Sequence, residues 1–172
     1  MAELVLVDMI IYFILFSFCG WVCETVFCSV GERRFVYRGF LNGPICPVYG
    51  FGGLIVVYLL APFRENIIIL FIMGMISTTV LEYFTSYILE KLFHQKWWDY
   101  SHRKFNINGR VCLPYSLMFG GLSVVAVKLL YPPFSNFVEN VIPYKGKPYI
   151  AGTLLVILSV DLAATVTSLL RE

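Results

Sequence analysis

Five stretches of this chain run for roughly twenty residues with almost no charge, each long enough as an α-helix to cross about 30 Å of hydrocarbon. They cover 6–29, 44–62, 66–90, 111–131 and 148–170. Lipid offers the backbone no hydrogen-bond partners, so a crossing segment must satisfy its amides internally. The pattern predicts an all-α membrane protein, residues 1–172 forming a single integral membrane domain with about five transmembrane helices. The first run resembles a signal peptide's apolar region, but no positive residue precedes it and no small-x-small cleavage site follows, so it reads as a mature helix.

Composition removes the alternatives. The chain is 59% hydrophobic and 14% charged, against roughly 45–50% and 25% for soluble domains. Thirteen Lys and Arg against eleven Asp and Glu give a net charge of +2, too balanced for a nucleic-acid binder that must neutralise many phosphates. Disorder requires low hydrophobicity. The five cysteines are an odd number set in or beside apolar runs, which reads as packing and not as a disulfide frame.

The second run is unusual because it is entered through GPICPVYGFGG, with two prolines and four glycines between Gly43 and Gly53. These predict an irregular, partly unwound segment, followed by a regular helix from about Leu54. Glycines at 39, 43, 50, 52 and 53 permit positive φ or close backbone approach, and irregular backbone at membrane depth is tolerated where it lines a cavity or is buried in protein. A cavity wall and a kinked helix start fit equally, with Arg38, Asn42 and Tyr49 as the polar side chains of the wall.

Lys and Arg in the flanks set the orientation. An N-terminus outside places nine of them (Arg33, Arg34, Arg38, Lys91, Lys96, Arg103, Lys104, Arg110 and Arg171) on the cytoplasmic side and four (Arg64, Lys128, Lys145 and Lys147) outside. The inverse placement reverses that ratio. The expected localisation is the cell's inner (plasma) membrane, multi-pass, with a cytoplasmic C-terminus.

Carboxylates in hydrocarbon are costly and need a partner or a wet cavity. In this topology Glu24, Glu82, Glu90 and Asp161 all fall in the cytoplasmic halves of their helices. Thr78, Glu82, Ser86 and Glu90 lie four apart and share one face; Asp161, Thr165 and Ser168 form a shorter stripe. Arg38 and Arg110 are the counter-ions available at that level, and the sequence leaves open which arginine serves which acid. Between the third and fourth runs, Trp98 and Tyr100 read as interfacial aromatics, while Asp99 and Asn108 together with Arg110 could close a cytoplasmic cavity. His94 and His102 lie eight apart without a partner pair, so no metal site is expected, and no cofactor. There is no GxSxG, HExxH, GK[ST] or GxGxxG, so nothing points to an enzyme.

The ordered motifs GWVCETVFCSV, RGFLNGPICPVYGFGG, LEYFTSYILEKLF, WWDYS and FNINGRVCL resemble the CmpB-like family of bacterial ABC-transporter permease components, over about residues 20–120. The resemblance implies a small multi-pass inner-membrane protein with a transport role. Its motif residues, carried over here, are Glu24, Arg38, Asn42, Gly43, Pro44, Tyr49, Glu82, Glu90, Trp98, Asp99, Tyr100, Asn108 and Arg110. With no nucleotide-binding motif in this sequence, ATP-driven work would need a separate ATPase subunit, and a carrier built from this chain alone would need an oligomer. The expected function is a membrane-embedded transport subunit with a cytoplasm-facing polar cavity. The alternatives are a non-transporting scaffold or regulatory subunit, and an enzyme acting on lipid-linked substrate.

Overall fold

The computed structural model describes residues 2–171, with side chains from Val5 onward. Helices dominate: α1 (Ala2–Glu32), α2 (Pro47–Leu54), α3 (Ile67–Phe93), α4 (Leu113–Val125), α5 (Tyr131–Asn136) and α6 (Lys147–Leu169). A two-residue antiparallel pair, β1 (Asn106–Ile107) and β2 (Val111–Cys112), closes a hairpin before α4.

Among the described residues four helical runs are long and apolar enough to cross a membrane: Val5–Glu32, Ile67–Phe93, Leu113–Val141 and Tyr144–Leu169. A fifth, Pro47–Leu59, is apolar but shorter. Its thirteen residues rise only about 20 Å at 1.5 Å each. Residues 43–46 lie outside any helix, so the run is entered irregularly, but the regular α-helix begins at Pro47 in place of Leu54 and takes in the glycine-rich Pro47–Leu54, after which the backbone widens to a π-helix over Ile55–Leu59.

The fourth run also departs from expectation. In place of an end near Tyr131, the helix passes through Pro132 and Pro133 to Val141, widening to π turns at Ala126–Leu130 and Phe137–Val141. All three wide turns stand just ahead of a proline. Leu60 donates to the Ile55 carbonyl before Pro62, Tyr131 to Ala126 before Pro132, and Ile142 to Phe137 before Pro143. A proline lacks the amide hydrogen and its ring collides with the carbonyl four residues back. Shifting to i→i−5 bonds re-registers that carbonyl and lets an apolar segment carry its prolines with fewer orphaned groups.

The contacts divide the chain into two compact units, residues 1–54 with 133–172, and residues 55–132. In the first, α1 packs against α2 and α6. Close approach explains two of the glycines. A Cβ added at Gly50 would fall on Ser17 and Phe13, and one at Gly53 on Phe16. Gly20 of α1 reciprocates, its face covered by Tyr49. Phe13 meets Phe51 edge-on, and Phe16 meets Phe134 likewise.

In the second unit α3 packs on α4, with Gly74 against Ser123. Val56, Leu60 and Leu70 form a buried cluster against Val124 and Val127. Asn66 caps α3, its side chain accepting from the amides of Ile68 and Ile69. Elsewhere large apolar side chains point outward, Ile68 at 71% and Val156 at 64% exposure, an arrangement suited to acyl chains and not to water.

Candidate functional site

In the second unit the polar stripe of α3 faces the 94–112 loop. Glu82 and Ser86 are buried. The Tyr100 hydroxyl donates to Glu82 Oε1 at 3.2 Å, and its ring stacks on Tyr115 with centroids 4.7 Å apart. Burial, followed by the charge of Glu82, pushes the Tyr100 hydroxyl's pKa well up.

Four and eight residues further along α3, Arg110 donates to Ser86 Oγ at 3.3 Å and pairs with Glu90. Its guanidinium also lies over the rings of Tyr83 and Tyr87, 5.9 and 5.4 Å from their centroids. The loop is shaped to deliver it. Asn108 and Gly109 both have positive φ, 54° and 70°, the turn conformation that Asn-Gly favours. Asn108 Nδ2 donates to the Tyr83 hydroxyl at 2.8 Å, and Trp98 Nε1 donates to the Arg110 carbonyl at 2.9 Å. Asp99 serves a local turn, accepting from the Ser101 amide at 2.9 Å and hydroxyl at 2.5 Å. Those bonds hold its pKa below the usual carboxylate range. Thr78, on the same face as Glu82, bonds back to its own helix at the Gly74 carbonyl.

In the first unit Arg38 Nε lies 3.4 Å from Glu24 Oε1, and the Cys46 thiol stands 4.0 Å from Glu24 Oε2. The Cys46 side chain is itself buried. Asp161 accepts from the Asn42 amide (3.1 Å), Asn42 Nδ2 (3.2 Å) and the Gly43 amide (2.8 Å), while Asn42 Nδ2 also reaches Thr165 Oγ1 at 2.7 Å. Tyr37 donates to the Asn42 carbonyl at 2.6 Å. The Gly39-to-Gly43 turn is thus clasped to α6 by one carboxylate, and a Cβ at Gly43 would press on Asp161 Oδ2. Tyr49 packs on Gly20 of α1.

The pairing that the sequence left open is therefore Glu24 with Arg38 and Glu90 with Arg110, each within its own unit. Glu82 has Tyr100, and Asp161 has backbone amides. Sequence reasoning missed a buried ion pair: Lys147 Nζ sits 2.9 Å from Asp8 Oδ1, the lysine side chain 7% exposed and the aspartate 20%. Asp8 interrupting LVLVDMIIYF was the available signal, an intramembrane acid in plain view. Its partner, 139 positions away, required knowing that α1 packs on α6.

No curated protein and no solved structure matches the chain. A family model does, over residues 11–166, which takes in α2 to α5 entire, most of α1 and α6, and every polar cluster above except Asp8 of the Asp8–Lys147 pair. This chain belongs to the family described as Putative ABC-transporter type IV.

Proposed function

We propose that this protein is the membrane-embedded subunit of a plasma-membrane transport system, and that the cytoplasmic end of α3 is where it meets its ligand. The observation that carries this is the gathering of Tyr100 and Arg110, from the 94–112 loop, on Glu82, Ser86 and Glu90 along one face of α3. Ionisable groups in a span are expensive and are most often retained for function. An anionic group on a ligand would compete with Glu90 for the planar guanidinium, which binds carboxylate or phosphate in a fork. Trp98, Asp99 and Asn108 would shape the loop that presents it. Glu24, Arg38, Asn42 and Tyr49 are proposed as the polar lining of the first unit.

The orientation is N-terminus outside and C-terminus cytoplasmic, with Pro47–Leu59 as the fifth crossing of a single membrane domain. That keeps Arg33, Arg34, Arg38 and the basic 91–110 segment on one side of the membrane. Energy would come from a separate ATPase subunit, and an oligomer of this chain could complete the path.

A specific observation favours a second reading, a scaffold without transport: Asp161 is fully engaged in holding the Asn42–Gly43 turn. The two readings part on one experiment. Inside-out vesicles carrying the wild type, Glu82→Gln or Arg110→Lys are given ATP, and the accumulated solutes are compared by mass spectrometry. Transport predicts solutes that accumulate with the wild type and fall several-fold in both variants while each stays folded, whatever its shift in melting temperature. Identical profiles in all three, with only melting temperature altered, would support the scaffold.

A further inference from the structure

We propose that the tip of the 94–112 loop, from His102 to Ile107, is a docking surface for the anionic phospholipid headgroups that surround the protein. Phe105 is 77% exposed and Ile107 58%. Phe105 also has φ +54°, a left-handed conformation that bulky side chains rarely adopt. The chain thus holds an aromatic ring outward at a cost in backbone strain, a combination that collects at binding surfaces.

Neighbouring hydrogen bonds fix that geometry. Asn106 Nδ2 donates to the Arg103 carbonyl at 2.7 Å, and the Leu113 amide donates to the Phe105 carbonyl at 3.2 Å. Leu113 is the first residue of the Leu113–Val141 span. Phe105 is therefore one hydrogen bond from the first residue of a run long and apolar enough to cross a membrane, the flank of a span where aromatic rings prefer to lie.

Charge selects the occupant. Arg103 and Lys104, both exposed, immediately precede Phe105. Among the described residues neither forms an ion pair, and the nearby Asp99 carboxylate is engaged by Ser101 and Lys96. Two adjacent cations beside two outward apolar side chains match an anionic interface, which attracts the former and takes up the latter. This inference stands apart from the transport reading and from the direction in which the chain crosses, because it uses only the hairpin and the start of α4.

The test is hydrogen exchange of the full chain in nanodiscs of phosphatidylcholine alone or with about one third phosphatidylglycerol. Anionic lipid is expected to slow exchange across 102–107 by roughly ten-fold or more, with the difference shrinking as salt is raised. The double variant Arg103→Ser, Lys104→Ser should lose the difference while α3 exchanges as in the wild type, which separates lost docking from lost folding. Equal exchange in the two lipids overturns the proposal. So does protection that appears only when membranes supply a protein partner, since the surface would then belong to that partner.

Discussion

The Arg110 guanidinium meets Glu90, Ser86 and two tyrosine rings at once, so its removal leaves a partly buried carboxylate without its cation. Arg110→Ala should lower stability by about 1–3 kcal/mol, read as a thermal shift in detergent, and Arg110→Lys should recover part of it because the charge returns without the planar fork. Tyr100 offers a pH signature. Its hydroxyl is raised in the folded protein by burial and by Glu82, so its contribution to stability is whole below the unfolded pKa of about 10 and declines as pH rises above it. Tyrosinate absorbance should show a late-ionising component, and Tyr100→Phe should reduce it. The sequence made these groups legible as a set: four-residue spacing put Glu82, Ser86 and Glu90 on one face, and the two arginines stood out as counter-ions. The assignment of Arg38 to Glu24 and Arg110 to Glu90 was not legible, because it depends on loop paths that hydropathy does not encode.

Between helices, the glycines of the second apolar run act through contact. Gly53 lies flush against Phe16, so Gly53→Leu should overpack α1 against α2 and cost about 1–3 kcal/mol. Gly31, exposed in α1 with open space around it, is the control: Gly31→Ala should be neutral or gain up to about 1 kcal/mol from helix propensity. Thermal melts of the two variants side by side check both. Hydropathy located the long helices well, since apolar length is what a bilayer demands, and it set their ends within a few residues for α3 and α6. It misread the segments where proline and glycine carry the signal. Helix-breaking chemistry at Pro132 and Pro133 is absorbed by a change of hydrogen-bond register, and the Gly50 and Gly53 backbone stays helical because α1 covers the side where Cβ atoms would be.

The whole chain is a member of a transporter family whose model spans 11–166, and the first unit is built from residues 1–54 and 133–172. Asp8 and Lys147 join those two pieces. Either Asp8→Asn or Lys147→Met alone should destabilise the protein by about 3–5 kcal/mol, since each strands a buried charge, whereas the double variant should cost less than the sum. A double-mutant cycle on melting in detergent measures the difference. The pair also imposes an order on synthesis. Asp8 emerges from the ribosome and enters the bilayer 139 residues before the lysine that neutralises it. Until then the acid must remain at the water boundary or borrow a cation, so α1 completes its seating only when the last long helix arrives. Truncation anywhere before Lys147 would leave that first helix with an unmatched acid, a mark by which membrane quality control could recognise an unfinished copy.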